Sequence, residues 1–378
     1  MKPPIVAVDI GSTKVACAVG LPREEAPGFE LVGSSLVPYP SFSEAWLDDP
    51  LMVSRAIEQA LDAVPVRTDV HRALVGVTHP ALTCEQVRAV VPLADEPMSV
   101  RAQDLDRLRE RALDHAVGID REPLLVERLG CSGNGFDGVH DPRGLSATRL
   151  TGAFHVVTMP LAARRAIVQV VESAGLEVAR LSYTLPALLA SLGDESAHQR
   201  DALVVDVGGL TTDVGLFREG RLCVSEVVPA GGVTLAATIA KHLQVTMDHA
   251  MTWSLEGAAC RKPEVRSLVT RAWARLERAL NAVLKAAPRP DVALVGGRGA
   301  LLDGFVEWLE RTTGIPATLG RSPRTHALTD LSRQVGLSAV IGLLEMSTAV
   351  SPPARPTPSL RFFNRVIDRS RAILTEYF

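Results

Sequence analysis

The chain has 378 residues, 47% hydrophobic and 22% charged, with a net charge of −3. That is the composition of a soluble globular protein with two or three domains, and without a basic surplus no nucleic-acid partner is expected. Five scattered cysteines (Cys17, Cys84, Cys131, Cys223, Cys260) form no CxxC pair, so neither a disulfide framework nor a zinc site is expected. A strand begins almost at the N-terminus, leaving no room for a signal peptide, and no apolar run is long enough to span a bilayer. The body is expected to be cytosolic.

Residues 5–19 read as strand, tight turn, strand: an apolar run reaches Asp9, then Gly11, Ser12, Thr13 and Lys14 interrupt it before it resumes. Residues 29–36 form a further strand. Residues 51–64 form an amphipathic helix with Val53, Ile57, Ala60, Leu61 and Val64 on one face, and residues 71–77 are a strand. From His79 to Thr158 the texture changes. A strand at 83–92, a charged helix at 104–117, a strand at 124–129 and a glycine-rich stretch at 130–144 indicate a small inserted α+β subdomain. It contributes to none of the glycine turns described here, so it is expected to be dispensable for ligand binding there. A helix to about Gly175 and a strand at 176–181 restore the α/β pattern.

Residues 202–217 repeat the opening device: an apolar run to Asp206, then Gly208, Gly209, Thr211, Thr212 and Asp213, and a second apolar run. Successive turn amides make an anion-binding nest, the threonines add hydroxyl donors, and the aspartates suit a phosphate that carries Mg²⁺. Two copies of one device indicate two similar α/β halves facing each other, with a polyphosphate clamped between two hairpins. Beyond lies the Gly231-Gly232 turn. The helix after it, at about 235–243, opens on glycine and threonine, which suits an anion or ribose hydroxyls. Helices follow at 248–258 and 263–286. A buried-type strand at 291–295 runs into Gly296-Gly297-Arg298. This is not the GxGxxG fingerprint, because Leu302 stands where the last glycine should be; the turn reads equally as an adenosine seat or as a plain strand–helix connection.

Residues 351–358 hold four prolines and form a stiff linker. In the last twenty residues, 359–378, Leu360, Phe363, Ile367, Leu374 and Phe378 share a helical face. Arg371, with Arg361, Arg365 and Arg369, lies on or beside the polar side. That pattern suits a helix lying in the headgroups of an anionic leaflet; its charges rule out spanning.

Taken together, these motifs make the chain resemble the FtsA family of bacterial cell-division proteins, within the actin/Hsp70/sugar-kinase superfamily. Asp9–Lys14 resembles the first phosphate motif, Asp206–Asp213 the second, and Gly296–Gly304 the adenosine motif. Residues 141–150, running into 155–158, are similar to the end of the family's inserted subdomain, 1C. The resemblance implies an α/β, actin/Hsp70-like fold of duplicated domains around a nucleotide cleft, with the insertion and the terminal amphipathic helix. It divides the chain into 1A (1–78 and 161–200), 1C (79–160), 2A (201–235 and 291–350), a shortened helical 2B (236–290), the linker and the tail.

It also implies ATP with Mg²⁺ near Asp9, Asp206 and Asp213, FtsZ and other division proteins as partners, and self-association into filaments. The place of action would be the cytoplasmic face of the membrane at the septum, on anionic lipid. The chain departs from the pattern at Leu210, where a third glycine is usual, and at Val295, where a hydroxyl residue is usual. His249 and Thr252 stand where a Glu and a Lys usually line the nucleoside. These departures each remove room or a polar contact for ATP. The PilM family, which shares the core and the insertion, is the nearest alternative, beside a nucleotide-free adaptor. A small-molecule kinase of the same superfold is disfavoured, since no residue reads as a base beside an acceptor hydroxyl.

Overall fold

The two repeated hairpins grow into two copies of one sheet. The computed structural model describes residues 3–24, 28–39, 49–64, 71–192, 200–286 and 288–349. The proline linker and the tail residues Leu360, Phe363, Ile367, Arg371, Leu374 and Phe378 lie outside them. Strands β1 (Ile5–Ile10), β2 (Lys14–Pro22) and β3 (Phe29–Pro38) are followed by helix α1 (Pro50–Asp62) and β4 (Arg72–Val77). Helix α1 starts where Asp49 accepts a hydrogen bond from the Met52 amide at 3.0 Å and proline sets the first turn; it buries Val53, Ile57 and Ala60.

Next come β5 (Thr83–Pro92), β6 (Met98–Ser99), α2 (Ala102–Ala116), β7 (Arg121–Gly133), β8 (Phe136–Val139), β9 (Ser146–Ala147) and β10 (Arg149–Pro160). These make a separate four-stranded sheet, order β5-β10-β7-β8, with a small β6-β9 pair and its own core around Leu108, Leu150 and Phe154. The stretch at 130–144 was expected to be a glycine-rich connection. Instead β7 continues to Gly133 and turns back into β8, with Gly135 at φ +78° in the turn.

The chain returns through α3 (Leu161–Ser173) to β11 (Glu177–Tyr183), which completes a sheet of order β11-β4-β1-β2-β3, and then to α4 (Thr184–Leu192). The second half runs β12 (Ala202–Val207), β13 (Thr212–Arg218), β14 (Arg221–Val228), α5 (Gly232–Leu243), α6 (Met247–Glu256), α7 (Pro263–Lys285) and β15 (Val292–Gly296). A 3₁₀ turn (Arg298–Leu301), α8 (Phe305–Thr313), β16 (Ala317–Leu319), α9 (Leu331–Gly336) and α10 (Ser338–Ala349) complete it. Its sheet, β14-β13-β12-β15-β16, repeats the first in order and polarity: the hairpin pairs are antiparallel, and the pairs on the other side of β1 and β12 are parallel.

Helices α4 and α10 were not anticipated. Both are apolar nearly all round, so they carry no helical periodicity to read. Helix α4 lies against bare backbone. A Cβ added at Gly76, Gly215, Gly296 or Gly320 would come within 2.9, 2.4, 2.5 and 2.1 Å of Thr184, Leu185, Leu188 and Leu192 respectively. At the crossing with α10, a Cβ on Gly342 would stand 1.6 Å from the Ala187 carbonyl oxygen.

The insertion also leans on the second half. Gln86 donates to the Cys223 carbonyl at 2.9 Å, and His155 Nε2 lies 2.9 Å from Ser225 Oγ, both across to the edge strand β14. Burial lowers the His155 pKa to about 4, so this imidazole is uncharged at neutral pH. The insertion is thus a brace as well as an appendage, which limits how freely it can be deleted.

The helix crossing predicts that Gly342→Val destabilises the protein by at least about 3 kcal/mol, because backbone cannot yield as a flexible side chain does. The check is chemical denaturation; a midpoint unchanged from wild type would refute the close approach.

Candidate functional site

Between the two hairpins lies a cleft of about 300 Å³. Both turns close in the same way: the Gly11 amide donates to the Lys14 carbonyl at 2.9 Å, and the Gly208 amide to the Thr211 carbonyl at 2.8 Å. The tips touch, since a Cβ on Gly209 would sit 3.1 Å from Ser12 Cβ. The first turn is anchored from behind by Tyr39, whose amide bonds the Thr13 carbonyl at 3.1 Å and whose hydroxyl donates to the Gly11 carbonyl.

Asp9, Gly11, Ser12, Thr13, Lys14, Asp206, Gly208, Gly209, Thr211, Gly232, Gly297 and Arg298 all line this cleft. Thr212, Asp213, Gly231 and Gly296 do not. Thr212 donates to the Ala230 carbonyl at 2.6 Å, and Gly296 packs on Leu188. Gly231 is glycine because a Cβ there would come within 2.6 Å of the Gly208 and Gly209 carbonyl oxygens.

The opening of α5 does not offer a free anion site. The amides of Gly232 and Val233 are already bonded to the Gly208 and Gly209 carbonyls at 3.0 and 2.8 Å, and Thr234 Oγ1 accepts from the Gly231 amide at 2.7 Å. The helix end positions the second hairpin instead. Gly297 is held at φ +78°, where a Cβ would strike the Val207 oxygen at 2.4 Å and Asp206 Oδ1 at 2.5 Å.

Electrostatics dominate the hairpin end. Lys14 is bonded to Asp9. Asp206 lies directly opposite Asp213 in the β12–β13 ladder. Burial, and then Asp9, raise the Asp206 pKa to about 6 against the opposing pull of Lys14. Burial, and then Asp206, hold the Asp213 carboxyl well above the usual range, with partial relief from Tyr183 and Thr211. Both Asp213 oxygens are buried without a hydrogen bond that satisfies ordinary geometry.

The three aspartates nevertheless form no joint set of ligands: among the described residues no group of three His, Cys, Asp or Glu could hold a metal. Mg²⁺ is expected near these three, directly or through water, and the structure gives them different positions about the cleft. Asp9 and Asp206 face the cleft, and Asp213 stands behind them.

Other expectations also change. Leu210 and Val295 are buried, 4% and 0% exposed, and neither lines the cleft. His249 stacks on Trp253 and Thr252 bonds the Asp248 carbonyl; neither lines the cleft. From α6 the lining residues are Met251, Ser254 and Leu255. Sequence reasoning missed these, as it missed Leu188 of α4 and Ser332, Val335 and Gly336 of α9. Only the three-residue spacing of Met251 and Ser254 could have signalled the first group.

Residues 203–342 match the family described as "Cell division protein FtsA", and residues 80–158 match "SHS2 domain inserted in FTSA". The chain belongs to the FtsA family. The Pseudomonas aeruginosa cell division protein FtsA is 26% identical over 371 residues, covering 90% of this chain and 88% of that protein. Among solved structures, the PilM–PilN type IV pilus biogenesis complex superposes with a TM-score of 0.68 at 15% identity, over 91% of this chain and 98% of that one. MreB5 of Spiroplasma citri bound to ADP gives 0.51 at 10% identity, over 90% and 95%. The fold is that of the actin-like ATPases, with duplicated α/β halves and the FtsA-type insertion between β4 and α3. Among the described residues no helix is long and apolar enough to cross a membrane.

Asp206 gives a pH prediction. Its folded pKa, about 6, exceeds the ordinary carboxylate value of 3.8, so without ligand it costs stability as pH rises between those values. Asp206→Asn should therefore raise the melting temperature at pH 7–8, and the gain should vanish near pH 4. An Asn variant less stable than wild type at pH 8 would overturn this.

Proposed function

We propose that this chain is a nucleotide-dependent, actin-like scaffold of the division machinery that holds the FtsZ ring at the cytoplasmic face of the membrane. The observation that carries the nucleotide part is the cleft between two copies of one hairpin, each closed by the same glycine amide bond and each presenting hydroxyls and an aspartate.

The residues fit a phosphate chain with a divalent cation. Ser12, Thr13 and Thr211 supply hydroxyls, Gly208 and Gly209 leave the approach open, and the crowded carboxylates call for positive charge. Bound Mg²⁺ would supply that charge and neutralise the phosphates. Asp9 and Asp206 would hold it from the cleft, directly or through water, and Asp213 would act from behind. Lys14 would orient Asp9 or turn to the phosphates. MreB5, of the same fold, is described with ADP bound.

No side chain in the cleft stands out as a general base, so we read the nucleotide as an assembly cofactor with slow turnover. Self-association into filaments, contact with FtsZ and septal location come with the family role. The membrane arm of the reading rests on the sequence of residues 359–378. An apolar face of Phe363, Ile367, Leu374 and Phe378 beside Arg371 suits reversible binding to anionic lipid, weakened by salt.

Two experiments test the reading. Mg-ATP should raise the melting temperature of the wild type, and Asp9→Ala and Gly208→Val should each abolish the shift, by removing charge near the cation and by filling the approach to the amides. Retained shifts in both variants would refute the site, and no shift in the wild type would leave a nucleotide-free adaptor.

Truncation before Ser351 should leave a folded body that no longer sediments with phosphatidylglycerol vesicles, and Ile367→Glu should do nearly the same. A truncated body that sediments as well as the full chain would remove the tail as the anchor.

A further inference from the structure

The end of the cleft away from the hairpins would hold the base, and its chemistry is one-sided. Its walls are apolar: Met251, Leu255, Leu302 and Val335 face it. The only carboxylates among the cleft-lining residues described are Asp9 and Asp206, at the hairpin end, and no Asn, Gln or His lines it. Ser254 is 1% exposed and donates its hydroxyl to the Met251 carbonyl at 2.8 Å. Ser332 Oγ accepts from Arg298 Nε at 3.1 Å.

That bond fixes Arg298 across α9, where its stem packs beside Gly336. The Nε bond is the guanidinium's only one among the described residues, so its outer N–H groups remain to meet a ligand. A guanidinium only donates. On its N7 edge adenine offers one acceptor, N7, beside the N6 amino donor, which would face a second donor. Guanine and hypoxanthine offer two adjacent acceptors, N7 and O6, which match the two-pronged guanidinium edge.

We propose that Arg298 is the base-reading residue of this cleft and that it admits 6-oxopurine nucleotides at least as well as ATP. The proposal rests on the nucleotide reading given above and narrows its ligand class.

The test is competition binding on the full chain with Mg-ATP, Mg-GTP, Mg-ITP and Mg-CTP, in wild type and Arg298→Met. The expected result is GTP and ITP binding as tightly as ATP or more tightly, with CTP at least tenfold weaker. ITP separates O6 recognition from any contact to the guanine 2-amino group. In Arg298→Met the ratio of GTP to ATP affinity should fall at least tenfold, whereas a purely structural role would weaken both together and leave the ratio unchanged.

Wild-type preference for ATP over GTP by tenfold or more would overturn the proposal, as would an unchanged ratio in Arg298→Met. Absence of binding by all four nucleotides would overturn the nucleotide reading itself, and this proposal with it; the two failures are distinct.

Discussion

One helix sets the terms for the rest of the molecule. Helix α4 follows the first sheet, contacts strands of the second, and is crossed by α10. At five points it meets a residue with no side chain: Gly76, Gly215, Gly296, Gly320 and Gly342. Four of these glycines admit side chains of α4, and at Gly342 the two helix backbones themselves meet, which leaves the least slack of all. Two duplicated sheets can face one another across a cleft only if something rigid fixes their spacing. Here that spacing is written in missing β-carbons.

Given that frame, the hairpins deliver charge to a confined place. Asp206 and Asp213 stand opposite one another in a ladder, an arrangement that normally destabilises a sheet. The one ammonium among the described residues that line the cleft, Lys14, is committed to Asp9. Burial and crowding therefore hold protons on these carboxyls to higher pH than water would, and a cation bound beside them would relieve the same crowding. Under the proposed nucleotide reading, affinity for a metal–phosphate complex would be the other face of this electrostatic cost.

The hairpins and their aspartates were legible in the sequence because local rules govern them: period-two apolar runs, glycines at the turns, and the same order twice. Helices α4 and α10 were not, because a helix buried all round has no polar face to give it a period. The five glycines around α4 are scattered along the chain and gain a common meaning only when folded. Gly231 and Gly232 illustrate a subtler limit. Their position before a helix suggested a ligand site, yet the helix amides are taken by the neighbouring turn's carbonyls, a competition invisible in one dimension. His249 and Thr252 were misplaced by two residues or fewer, enough to rotate a helical position off the cleft.

The insertion is covalently part of the first half, yet its sheet is fastened to β14 of the second by Gln86 and His155. Its two attachments thus belong to bodies on opposite sides of the cleft. If those bodies rotate about the α4–α10 crossing, the insertion must either follow one of them or shear along the seam. A small angular change at the cleft then becomes a displacement at the insertion's far edge, multiplied by its length. A neighbouring molecule touching only that edge would meet the largest part of such a displacement.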